Sequence, residues 1–192
     1  MEYFVFLQII KNIFGFTSMD RKQLGEKIYN IAHITGEFLL RSGKVSNEYF
    51  DKYKFESLPE ILEPISEHMK ELIPQGTEFL AGLEMGGIPL SSALSLKTGL
   101  PSIFVRKKAK EYGTRKLAEG LDFAGKNICV IEDVVTTGGQ IIESVNELRK
   151  LGAKIDFVMC VIVREEKAFE NLKAADLTLL PLFNMEELKS LA

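Results

Sequence analysis

Cysteine and histidine are scarce, with two of each in 192 residues. That scarcity excludes a disulfide-stapled scaffold and leaves too few soft ligands for a zinc or other transition-metal cluster. Cys129 and Cys160 each lie inside an apolar, β-like run, so both are expected as buried thiols in adjacent core strands. His33 and His68 stand alone, without partners at ligand spacing, and surface or packing roles are expected for them. Excess positive charge is lacking too: a net charge of −3 argues against a dedicated nucleic-acid binder. There are no internal repeats and no low-complexity linkers. No apolar run reaches the roughly 20 residues that a membrane-spanning helix needs. The strongest candidate, Tyr3 to Phe16, is broken by Gln8, Lys11 and Asn12, and no small-residue cleavage site follows it. Residues 1–18 therefore read as an apolar extension or packing helix, or as a segment upstream of a natural start at Met19.

What is present suits one ordinary globular domain over residues 19–192. Hydrophobic content of 46% supplies a full core and 27% charged residues supply a solvated surface. Asp20 is a natural N-cap for a helix carrying Leu24, Ile28, Ile31 and Ala32 on one face. Next come a glycine-flanked segment, Gly36 to Gly43, and an alternating run, Lys44 to Asp51. Together they predict a small hairpin-like hood, drawn largely from residues 19–55, outside the main sheet. A helix is expected from Leu58 to Ile73, with Pro64 splitting or kinking it. Beyond it, core strands are expected at Phe79–Leu83, Ser102–Val105, Ile128–Ile131, Ile155–Val163 and Leu177–Leu182. A helix of small and apolar residues is expected over Leu90–Leu96, and a short amphipathic one ends the chain. Strands alternating with helices predict an α/β fold with a doubly wound, mainly parallel sheet flanked by helices.

The chain is organised around Asn127 to Gln140. A buried strand runs into two adjacent carboxylates, Glu132 and Asp133, placed where that strand is expected to end. Val134, Val135, Thr136, Thr137, Gly138, Gly139 and Gln140 follow, and apolar residues then recur at helical spacing from Ile141 to Leu151. Unpaired N–H groups at such a helix start favour a phosphate, glycine lets the backbone approach it, and threonine hydroxyls can donate to it. A carboxylate pair repels phosphate but matches the vicinal hydroxyls of a ribose. A ribose 5-phosphate fits the whole element.

Val130-Ile-Glu-Asp-Val-Val-Thr-Thr-Gly138 closely resembles the signature with which type I phosphoribosyltransferases bind phosphoribosyl pyrophosphate (PRPP). Phe38-Leu-Leu-Arg-Ser-Gly43 and the strand after it resemble the hairpin of orotate phosphoribosyltransferases. The resemblance covers roughly Gly36 to Glu166, with four motifs in the expected order. It implies a type I phosphoribosyltransferase fold with a small N-terminal hood. It also implies transfer of the phosphoribosyl group from PRPP to orotate, with Mg2+ held mainly through PRPP and no direct protein ligand. A cytoplasmic homodimer is expected, with no nucleic-acid or membrane partner.

By the same resemblance, Glu84, Met85, Gly86 and Gly87 form the loop that meets the pyrophosphate. The basic run Arg106 to Lys116, with six cations in eleven residues, is expected to close over that group and reach a neighbouring subunit's site. Its matching residues are Arg106, Lys107 and Lys110, with Lys110 and Asp133 expected to be catalytic. Tyr112 stands where the family has histidine; a phenol can donate a hydrogen bond but carries no positive charge near neutral pH. Arg41, Phe50, Thr136 and Arg164 are expected around orotate, with Arg164 pairing its carboxylate. The residue-level alternative for Arg164 is a surface ion pair with Glu165 or Glu166. Two other functions stay open at this level: another nucleobase as acceptor, or a non-enzymatic PRPP sensor.

Overall fold

A computed structural model describes residues 19–39, 43, 45–107 and 117–192. The expectations for residues 1–18, for Arg41 and for the loop residues Lys110 and Tyr112 lie outside the described residues.

Helix α1 (Arg21–Ala32) opens the described chain. Asp20 accepts a hydrogen bond from the Gln23 N–H while the Gln23 side chain bonds back to the Asp20 N–H, completing a capping box. Leu24, Ile28 and Ala32, spaced by four, are fully buried. Strands β1 (His33–Leu39) and β2 (Val45–Phe50) then pair antiparallel in a separate two-stranded sheet, as the hood pattern predicts. Two helices follow, α2 (Lys52–Glu56) and α3 (Pro59–Lys70). Pro64 does not split α3, which runs unbroken through it. The apolar face of Ile61, Pro64, Ile65 and Met69 is buried against the body, and that packing offsets the one backbone bond proline cannot make.

The main sheet contains β3 (Phe79–Leu83), β4 (Ser102–Val105), β5 (Ala118–Glu119), β6 (Asn127–Val135), β7 (Lys154–Val163) and β8 (Thr178–Asn184). Their spatial order is β5-β4-β3-β6-β7-β8, parallel throughout except for the two-residue edge strand β5. Pro181 sits in the other edge strand, β8, the place in a sheet where a residue without an N–H is tolerated. Helices α4 (Gly87–Thr98), α5 (Gly139–Lys150), α6 (Lys167–Lys173) and α7 (Met185–Leu191) complete the two-sided cover.

Side-chain alternation along β6 divides the core. Ile128 and Val130 join the layer beneath α5 and α6, whereas Cys129 and Ile131 join the layer beneath α1, α3, α4 and α7. Cys129 and Cys160 are both buried and free, on adjacent strands but in opposite layers.

One strand runs longer than its apolar run suggests. Glu132 and Asp133 do not follow β6; they are part of it, because Val134 and Val135 continue the ladder against Ile162 and Val163 of β7. The ladder outruns the purely apolar stretch because β7 offers partners to its last residue. The acid pair is thereby fixed on rigid backbone in the middle of the sheet.

Candidate active site

Beyond the end of β6, Thr136 and Thr137 lead to Gly138, whose φ of 81° is a left-handed conformation that glycine adopts without strain. Helix α6 fixes this turn from outside. Asn171 donates to the Thr137 carbonyl at 2.9 Å, and a Cβ on Gly138 would come within 3.0 Å of Leu172. No described side chain caps the start of α5, which leaves its first backbone N–H groups toward the adjoining cavity. That cavity holds about 350 Å3 and is lined by Thr136 to Ile141, Val134, Val135, Glu132, Glu84, Met85, Lys52, Tyr53 and Lys107.

A second and larger cavity, of about 770 Å3, lies between the hood and the sheet. Phe50, Ser46, Glu48 and Tyr49 of β2 face it, with Tyr29 and His33 at the α1–β1 junction, and Arg164, Glu165, Met185 and Lys189 from the far side. Arg164 directly follows β7, and its backbone N–H donates to the Val135 carbonyl at 2.8 Å, which ties it to the end of β6. It is exposed and is found in no ion pair with Glu165 or Glu166. His33 pairs with Glu48 at 2.9 Å, and Lys189 lies 3.9 Å from the same carboxylate. The hydrogen bond from His33 and the charge of Lys189 hold Glu48 below the usual carboxylate range. Among the described residues Thr136 alone lines both cavities.

Behind the first cavity lies a buried acid cluster. Asp133 is fully buried, Glu56 is nearly so, and the Lys52 ammonium lies 2.5 Å from Asp133 Oδ2. Burial raises the proton affinity of Glu56, and its hydrogen bond to Asp133 adds to this, pushing it up to about 9. Glu132 is raised well above its ordinary value by burial and by Asp133. Burial acts the same way on Asp133, but hydrogen bonds from Glu132 and Lys52 outweigh it and hold Asp133 below the usual range. Lys52 loses proton affinity through burial and regains more from Asp133. Burial and close contact thus push Glu56 and Glu132 up while Asp133, paired with the Lys52 ammonium, is held low.

This charge pattern has a consequence for stability. Glu56 takes up its proton on folding, so the folded state is favoured below its unfolded value and loses ground as pH rises toward 9. The groups facing it are Asp133, Lys52 and Asp51. Glu56→Gln keeps a neutral donor in place and removes the titration. Melting temperatures between pH 6 and pH 10 should therefore fall less steeply in the variant than in the wild type. The wild-type slope approaches about 1.4 kcal/mol per pH unit from this one group, and parallel curves would contradict the assignment.

The predicted residues are not all brought together. Glu132, Val134 to Gln140, Glu84, Met85 and Lys107 meet at the first cavity; Phe50, Thr136 and Arg164 meet at the second. Asp133 lies behind the wall, because strand alternation turns it toward α2 while Glu132 faces the cavity. The Arg106 guanidinium points to Glu119 on β5, with Nε 3.5 Å from Oε1, and does not line the cavity. Gly86 and Gly87 serve close packing: a Cβ on Gly86 would sit 1.6 Å from Asp133 Oδ2, and one on Gly87 would sit 2.2 Å from the Ile131 carbonyl oxygen. The Glu84 carboxylate accepts from the Lys107 N–H at 2.6 Å, tying this loop to the start of the basic run.

Sequence reasoning missed Lys52, Glu56, Tyr29, Glu48 and Lys189, and gave His33 only a packing or surface role. Of these only Glu48 stands in a motif, the strand after the hairpin, and only the folded hood and the closing helix bring them to the sheet. The one signal was the acid pair itself, since a buried carboxylate needs a cation.

An open parallel sheet with two cavities at the carboxyl ends of its strands, both lined by Thr136, is the arrangement in which α/β proteins bind small-molecule ligands. The phosphoribosyl transferase domain model matches residues 55–180. Orotate phosphoribosyltransferase of Nocardioides sp. is 46% identical over 86% of this chain and 92% of its own. That of Methanocaldococcus jannaschii is 41% identical over 81% and 88%. In three dimensions, the orotate phosphoribosyltransferase of Mycobacterium tuberculosis in complex with PRPP superposes with a TM-score of 0.76 at 25% identity, covering 89% of this chain and 99% of that one. The chain belongs to the phosphoribosyltransferase family, in its orotate phosphoribosyltransferase branch.

Proposed function

We propose that the protein transfers the 5-phosphoribosyl group of PRPP to orotate, giving orotidine 5′-monophosphate and pyrophosphate in pyrimidine nucleotide synthesis. The observation that carries this reading is Thr136, the one described residue that lines both cavities. A donor seated at the β6–α5 turn and an acceptor seated under the hood meet there.

The 5′-phosphate occupies the turn from Thr136 to Gln140, against the uncapped N–H groups of α5. Glu132 faces the ribose hydroxyls from the cavity wall, with Asp133 directly behind it. Loss of pyrophosphate from the anomeric carbon leaves an oxocarbenium-like ribose and a heavily charged leaving group. Catalysis therefore rests on positioning and on fixed charge, without a covalent nucleophile. The pyrophosphate lies toward Glu84, Met85 and Lys107, with Lys110 of the basic loop closing over it. Mg2+ prefers hard oxygens and keeps several waters, so PRPP itself supplies most of its ligands and the ion offsets leaving-group charge.

Orotate lies in the second cavity with its carboxylate on Arg164, its ring against Phe50 and its reacting edge toward Thr136. Arg41 completes this site. The basic loop serves a partner copy's site in a homodimer, and the enzyme works in the cytoplasm. No helix among the described residues is long and apolar enough to cross a membrane.

The direct test is the fall in orotate absorbance on adding PRPP and magnesium. The proposal expects orotate consumption that depends on PRPP; turnover of a purine base with orotate untouched would overturn the choice of acceptor. Arg164→Ala should raise KM for orotate roughly 10- to 100-fold, the loss expected when one charge-assisted pair is removed. KM for PRPP should change little. An equal rise in both constants would count against the carboxylate contact.

A further inference from the structure

The role of Lys52 in the reaction is set by where α2 places it. Its side chain, about one-third exposed, reaches the wall of the first cavity, where Glu84, Met85 and Lys107 are its neighbours. Its ammonium is anchored by a carboxylate that no solvent reaches. That carboxylate in turn presses on the Glu84–Gly87 loop: a Cβ on Gly86 would overlap Asp133 Oδ2 and would lie 2.7 Å from Glu56 Oε1. Lysine is a flexible side chain with about 2 kcal/mol of rotamer entropy, and an ion pair to a buried partner removes that freedom before a ligand arrives. A cation fixed in advance beside a loop that faces a leaving group is preorganised electrostatics.

We infer that Lys52 binds the pyrophosphate group of the donor directly, and that Asp133 is a positioning residue whose task is to hold the Lys52 ammonium on the cavity wall. The inference rests on the phosphoribosyl-transfer reading and adds a donor-binding residue from the hood side of the molecule. Among the described residues the cavity then has two cations from separate parts of the chain. Lys107 opens the basic run, whereas Lys52 is set on a helix packed against α1 and α3. The acid behind Lys52 also explains why Asp133 can be fully buried in an enzyme of polyanions: its charge is spent on the lysine and does not meet the phosphates.

Titration calorimetry with PRPP and magnesium, and separately with inorganic pyrophosphate and magnesium, tests this without any base present. Lys52→Met should weaken both ligands by roughly 10- to 100-fold, the range for one charge-assisted hydrogen bond. Lys52→Arg should recover most of that loss. Steady-state kinetics should show KM for PRPP rising while KM for orotate holds. Because Lys52→Met alone leaves a buried carboxylate unpaired, the pair Lys52→Met with Asp133→Asn removes both charges and keeps the site foldable. If Asp133 acts through Lys52, the double variant binds no worse than Lys52→Met, and Asp133→Asn alone loses a comparable factor. Losses that multiply would mean Asp133 meets the sugar independently, and unchanged pyrophosphate binding in Lys52→Met would remove Lys52 from the site. Either result overturns the inference. A wild-type protein that binds no PRPP would instead overturn the parent reading, so the two failures are distinguishable.

Discussion

Gly87→Ala is expected to lower the melting temperature by about 6–12 °C and to abolish measurable PRPP binding. The added Cβ would sit 2.2 Å from the Ile131 carbonyl oxygen and 3.1 Å from its carbon. Both are backbone atoms of β6, which is paired on one side with Gly82 of β3 and on the other with Met159 of β7. No flexible side chain can move aside, so the strand or α4 must shift. Overpacking of this kind costs about 3 kcal/mol at the upper end of its usual range, and each kcal/mol is worth about 2–4 °C in a domain of this size. Function suffers more than stability, because Ile131 immediately precedes Glu132 and the strand aims the acid pair and the turn. Alanine at Gly139 is the control: an added Cβ there meets nothing within 4 Å, and the melting temperature should hardly move. Equal melting curves for Gly87→Ala and wild type would contradict the close approach of α4 to β6.

Lys110→Ala is expected to reduce kcat roughly 10²- to 10³-fold, the loss typical of one transition-state donor. The reason is the direction of charge flow. Pyrophosphate gains negative charge as the C1–O bond breaks, so a cation that meets it late stabilises the transition state more than the bound donor. The change in KM for PRPP should therefore be smaller than the change in kcat. This contrasts with Lys52, whose fixed position makes it a ground-state binder as well and whose loss should appear first in KM. Single-turnover measurements separate the two. Wild-type turnover in Lys110→Ala would remove the basic loop from the mechanism.

The fold was legible wherever local pattern and burial agreed. Ile128 to Ile131 and Phe157 to Val163 are apolar on both faces, as a parallel strand between two helical layers requires, and both lie in the sheet. Asp20 caps α1 as its position before the apolar face suggests, and the structure adds Gln23 to complete a capping box. Legibility failed where tertiary partners decide. Proline at position 64 argues for a break that packing overrides. A carboxylate pair suggests a strand terminus at Ile131, whereas β7 offers ladder partners as far as Val135. The turn from Thr136 to Gly139 was readable because its chemistry is local. The pairing of Asp133 with Lys52 joins residues 81 positions apart, and no motif records it. The same holds for the hooded cavity, whose walls come from α1, β2, the end of β7 and α7.

The most direct test of the whole account is a crystal structure of this chain with PRPP and Mg2+. The account predicts the 5′-phosphate against the backbone N–H groups of residues 136–140, the ribose beside Glu132, and the pyrophosphate between Lys52 and the Glu84–Gly87 loop. Density for the donor elsewhere, with the β6–α5 turn holding none of it, would contradict the account at its root.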